Sequence, residues 1–133
     1  MVLASAALLL IGGLVAAAWW AFAPGPSAAP GTVVVKVPEL SPLARTGQIA
    51  FAENCAGCHG DHAAGSLQGP PLVHRIYRPG HHADGAFVAA VQRGVRSHHW
   101  GYGNMPPQPQ MPAEQTAAIV RYVRELQAAN DIH

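Results

Sequence analysis

Cys55-Ala56-Gly57-Cys58-His59 decides the reading of this chain. Both of its cysteines lie in that pentapeptide, and C-x-x-C-H is the spacing at which a chain attaches haem covalently and ligates its iron. Two thiols three positions apart on a tight helical turn can form thioethers to the two vinyl groups of one porphyrin. The next residue, His59, then points its imidazole at the metal as proximal ligand. Rival readings of the same residues are weaker. A structural zinc site wants four thiolate or imidazole ligands, commonly two such pairs, and no second cysteine pair exists. A thioredoxin-like redox pair would follow a strand in a βαβ pattern, whereas the flanks here read as helix. A bare disulfide leaves His59 unexplained.

On the N-terminal side, Ser41 reads as an N-cap with Pro42 at the first helical position, where a missing N–H costs nothing. Leu43, Gly47, Ala50 and Phe51 follow as an apolar stripe running to Cys55. A second helix is expected from Asp84 as N-cap, with Phe87, Val88 and Val91 on one face and Gly94 as its stop. A third begins around Pro112, carries Ala117, Ile119, Val120, Tyr122, Val123 and Leu126, and ends near Asn130. The fold class is therefore all-α.

With these elements in order, residues 43–129 resemble the monohaem class I cytochrome c family. Gly47 and Phe51 stand in its G-x-x-x-F-x-x-x-C lead into the haem motif. The resemblance implies three main helices around one covalently bound haem c. It also implies that the first helix crosses the last with a small residue against an aromatic, which puts Gly47 against Tyr122. Gly69-Pro70-Pro71-Leu72 is similar to the family's G-P-x-L segment, making Pro70 the carbonyl acceptor for the proximal imidazole. A ligating histidine generally gives its other ring N–H to a fixed acceptor, which orients the ring. Met105-Pro106-Pro107 up to Ala113-Glu114-Gln115 is similar to the family's distal run, and in that register Met105 is the sixth ligand. Gln108 departs from the usual aromatic there and Pro112 from the usual Ser or Thr cap. Met111 falls at a packing position. Trp100 and Tyr102 are expected to line the distal side of the haem pocket.

A neutral, soft thioether favours ferrous iron, so a His59/Met105 pair suits a one-electron carrier of raised potential. Eight histidines are more than one haem needs. His81-His82 and His98-His99 flank the second helix, about 20 Å apart by helix rise if no loop folds back. They read as surface or haem-edge groups, or alternatively as a second metal site for copper, with Met111 as a further donor.

Residues 2–23 carry no charge and would span about 33 Å as a helix, close to the thickness of a bilayer core. Trp19 and Trp20 fall near the end of that run, at headgroup depth. Residues 1–23 are accordingly read as a transmembrane anchor. A cleaved signal peptide is the alternative, offered by Ala21-Phe22-Ala23, although Pro24 hinders cleavage and the apolar run exceeds a usual signal core. Residues 24–40 are rich in proline and alanine and read as a linker, with residues 32–37 laid along the surface of a domain at 41–133.

The formal charge of +1 and the lack of like-charge runs exclude a nucleic-acid footprint. The expected function is electron transfer without a small-molecule substrate. The expected partners are a quinol:cytochrome c reductase or dehydrogenase as donor and a terminal oxidase or reductase as acceptor. The family's haem attachment on the outer side of the cytoplasmic membrane implies a periplasmic domain on a single-pass anchor. The alternative is a haem-based ligand-binding or copper-handling module. An enzyme such as a haem peroxidase needs an open iron site with a distal acid or base, and in the dihaem type a second C-x-x-C-H, which is absent here.

Overall fold

Ser41 starts the domain by capping helix α1 (Pro42–Asn54), its side chain accepting a hydrogen bond from the Ala44 amide at 3.3 Å. The computed structural model describes residues 31–133. The expected anchor at 1–23 and the first part of the linker lie outside the described residues. After α1 come a single turn α2 (Ala56–His59), two 3-10 turns (Asp61–Ala63 and Arg75–Tyr77), helix α3 (Asp84–Arg93) and helix α4 (Ala113–Ala129). Among the described residues there is no strand, only an isolated antiparallel bridge between Val95 and Met105.

The core is the crossing of α1 and α4. Ala44, Gly47, Ala50 and Phe51 are buried on α1, opposite Ala118, Ile119, Tyr122, Val123 and Leu126 on α4. Burying each large side chain contributes about 1.5–3 kcal/mol. A Cβ on Gly47 would overlap the Ala118 carbonyl and stand 2.9 Å from the Ile119 amide nitrogen, so the two backbones touch there. The atoms nearest the small residue are thus backbone of Ala118 and Ile119. Tyr122, one helical turn beyond Ala118 along α4, packs edge-on against Phe51, with ring centroids 5.7 Å apart. Leu43 (53% exposed) and Ala117 fall outside the stripe and face solvent.

Polar side chains of α4 fasten the loops. Glu125 accepts hydrogen bonds from the Ser41 amide at 2.9 Å and the Ser41 hydroxyl at 2.6 Å, holding the start of α1. Gln127, 1% exposed, donates to the Leu72 and Tyr77 carbonyls at 2.8 and 3.1 Å. Arg124 bonds the Asp84 carboxylate and the carbonyls of Tyr77 and His82 at 2.5–2.8 Å. That pairing explains why Asp84 is the first residue of α3 and not its N-cap. Its carboxylate goes to Arg124, and Ala83 occupies the cap with no side-chain hydrogen bond.

Part of the expected linker is docked. The Val33 amide donates to the Ala64 carbonyl at 2.8 Å, Val33 and Val35 pack on the core, and Leu40 is buried. Lys36 exchanges two hydrogen bonds with the Asn130 side chain, at 2.9 and 2.8 Å. This segment lies along the domain surface without forming a strand.

Candidate haem site

The C-cap of α1 is Cys55, and the turn α2 that follows carries Cys58 and His59. His59 is half-buried. Its Nδ1 stands 2.9 Å from the Pro70 carbonyl oxygen, which can only accept, so this nitrogen carries the proton and Nε2 keeps its lone pair. Burial lowers the His59 pKa, and the Pro70 bond opposes that in part, so the ring is neutral in neutral solution. Burial also pushes the Cys55 thiol up to about 11, helped by the neighbouring Cys58. Neither cysteine forms a disulfide.

A cavity of about 410 Å³ opens beside this turn, within the usual range for cofactor pockets. Its walls include Phe51, Leu72, Phe87, Val91, Ile119 and Val120, so α1, α3 and α4 all contribute apolar side chains. This accounts for the lack of any buried residue on α3. The apolar face of that helix borders the cavity.

Of the residues singled out from the sequence, Cys55, His59, Pro70, Trp100, Tyr102 and Met105 share this one cavity. Cys58 is exposed, at the rim of the same turn, its sulfur 4.0 Å from Gln68 Oε1. Met111 is not on the cavity wall and packs against the core. Met105 is positioned by its backbone. It exchanges two 2.9 Å hydrogen bonds with Val95, directly after Gly94 ends α3 at φ +71°. A side chain on Gly94 would overlap the Met105 carbonyl and stand 3.0 Å from the Pro107 nitrogen. Only glycine permits this close return of the chain.

Trp100 donates its indole N–H to the Tyr77 hydroxyl at 3.0 Å, tying the 95–105 loop to the turn at Arg75–Tyr77. Sequence reasoning missed Tyr77, which also lies on the cavity wall. It closes a 3-10 turn too short for any helical spacing to mark it. His74 stacks edge-on with Trp100 at 5.0 Å, and His62 is hydrogen-bonded to Tyr122 at 2.9 Å.

The two histidine pairs do converge. The loop after Gly94 folds back, and the four rings of His81, His82, His98 and His99 stand with neighbouring centroids 4.2–6.1 Å apart. His82, His98 and His99 also border the cavity mouth.

An apolar cavity with one thiol-bearing turn, the His59 imidazole with its free Nε2 next to that turn, and the Met105 thioether fits a covalent haem. Cys55 and Cys58 would hold the ring and His59 would face the iron. A family model described as Cytochrome c matches residues 44–127. No curated protein matches the chain. The matched span takes in both long helices of the core, the C-x-x-C-H turn and the cavity, and the chain belongs to the cytochrome c family, with haem c as its covalent cofactor.

Proposed function

We propose that this domain is a one-electron carrier whose haem iron takes His59 and Met105 as axial ligands, and that it catalyses no reaction of its own. The observation that supports the reading is the pairing, within apolar walls, of the His59 imidazole beside the C-x-x-C turn, oriented by Pro70, with the Met105 thioether. Haem c supplies an Fe(III)/Fe(II) couple there. The chain contributes rigidity and dryness. Pro70 fixes the His59 ring, the Val95 bridge and Gly94 hold the Met105 backbone, and Pro106 and Pro107 stiffen the chain beyond it. Ligands that stay in place and a pocket that excludes water keep small the rearrangement that accompanies a change of charge.

The same reading assigns redox proteins as partners, with a quinol:cytochrome c reductase or dehydrogenase as donor and a terminal oxidase or reductase as acceptor. It places the domain on the outer, periplasmic face of the cytoplasmic membrane, held by residues 1–23 as a single-pass anchor. The uncharged run at 2–23 motivates that assignment.

Replacement of Met105 by Ala tests the ligand assignment. The ferric protein should lose its sulfur-to-iron charge-transfer band, the ferrous protein should bind carbon monoxide readily, and the reduction potential should fall. An unchanged spectrum and potential would show that another side chain fills the position.

A further inference from the structure

Four imidazoles from two separate segments meet beside the cavity, three of them on its wall, and the expected function uses none of them. The ligand atoms of His81, His82 and His99 all lie within 4.8 Å of one another. A cation bound at about 2.0–2.1 Å from each nitrogen would draw them somewhat closer, a change within the reach of exposed side chains. We propose that His81, His82 and His99 form a second metal site, for an exchangeable late first-row divalent cation such as Zn(II) or Cu(II).

A second observation points to a ligand. His82 turns its Nδ1 to the Ile76 carbonyl at 2.8 Å, and His98 turns its Nδ1 to the Arg96 carbonyl at 2.8 Å. A carbonyl only accepts, so in both rings Nδ1 carries the proton and Nε2 is left as a free donor. This is the same arrangement that orients ligating histidines in general, and His59 shows it with Pro70. The peptide carrying the His82 carbonyl is itself gripped by the half-buried Arg124, so the site rests on α4 and is not a loose loop.

Charge argues the same way. Among the described residues, no Asp or Glu belongs to the cluster and none of the four rings is in an ion pair. Protonated imidazoles packed this closely would repel one another with no carboxylate to offset them. Imidazole nitrogen with no oxygen donor selects zinc or copper over magnesium and calcium. Three protein ligands with two of them exposed leave a coordination position open to water, hence an exchangeable ion rather than a structural one. His98 neighbours the site, its ring centroid 6.1 Å from that of His82 and 4.2 Å from that of His99.

The test is calorimetric titration of the tag-free, haem-loaded ferric protein with Zn(II), after chelator treatment and dialysis. One equivalent should bind, Cu(II) should displace it, and excess Mg(II) should not. His81→Gln and His99→Gln remove exposed rings that hold no hydrogen bond in the fold, and each should weaken Zn(II) binding by about 10–100-fold or more. His133→Gln should leave it unchanged. The haem absorption spectrum should be the same in all of these variants. Failure to saturate at one equivalent, or binding that His81→Gln and His99→Gln leave intact, would overturn the site. A changed haem spectrum in His99→Gln would overturn it differently, by making His99 a ligand of the haem iron.

Discussion

Replacing Gly47 by Ala should open the helix crossing on which the haem cavity is built. The added Cβ would stand 2.9 Å from the Ile119 amide nitrogen and overlap the Ala118 carbonyl, and both obstacles are backbone that cannot rotate away. Restoring the 3.4 Å of ordinary contact at Ile119 alone asks for a separation of about 0.5 Å, and Ala118 asks for more. A gap of about 0.5–1 Å forfeits a quarter to a half of the dispersion energy between facing atoms. The atoms concerned belong to Ala44, Ala50 and Phe51 on one side and Tyr122, Val123 and Leu126 on the other. Overpacking of this kind costs about 1–3 kcal/mol or more, against about 1 kcal/mol gained from alanine's helix propensity. Because both obstacles are backbone, the cost falls at the upper end of that range, and the net loss should be about 2 kcal/mol, or about 10 °C in Tm for a domain of this size. Guanidinium unfolding of the haem-loaded protein, followed by helical circular dichroism, should show a lower midpoint at constant slope. Gly85, in the first turn of α3 with nothing within 4 Å of an added Cβ, provides the control: Gly85→Ala should be neutral or stabilising. Gly47→Ala at or above wild-type stability would mean that the two helices do not approach as described.

Three further outcomes are expected. Gln127→Leu withdraws the donor that the buried side chain gives to the Leu72 carbonyl, so thermal melting should report a loss of about 2 kcal/mol. Arg124→Lys keeps the charge but not the fork that reaches Asp84, Tyr77 and His82; it should cost about 2–3 kcal/mol and speed amide exchange at His82. For Glu125, partial desolvation raises the carboxyl pKa, but the Ser41 hydroxyl and amide and the Arg121 guanidinium outweigh it, so the folded value is lowered. Its stabilising contribution is therefore complete above the ordinary carboxylate range and fades as pH falls through the lowered value. Denaturation midpoints of Glu125→Gln should lie below wild type at neutral pH and converge with it in acid.

The elements legible in the sequence were those fixed by local chemistry. Ser41 and Pro42 mark the start of α1 whatever lies around them, and the stripe from Ile119 to Leu126 marks the buried face of α4. Misplacements arose where a distant residue decides. Asp84 has the chemistry of a cap, yet a partner forty positions away claims its carboxylate. The partner of Gly47 depends on the register between two helices, which neither helix encodes alone. The site divides in the same way. Cys55, Cys58 and His59 announce themselves by spacing, whereas Tyr77 reaches the cavity from a turn that has no periodicity. Helix rise kept the two histidine pairs apart on paper; the reversal at Gly94 and the bridge from Val95 to Met105 bring them together.

The clasp between Lys36 and Asn130 and the burial of Leu40 shorten the leash on this domain. With residues 31–40 committed to the globule, the proposed anchor at 1–23 leaves only residues 24–30 to span the gap. At full stretch they reach about 25 Å, less than the width of the domain plus a partner. Such a carrier would hover at the lipid surface and trade electrons with complexes that come to it, rather than shuttle between them.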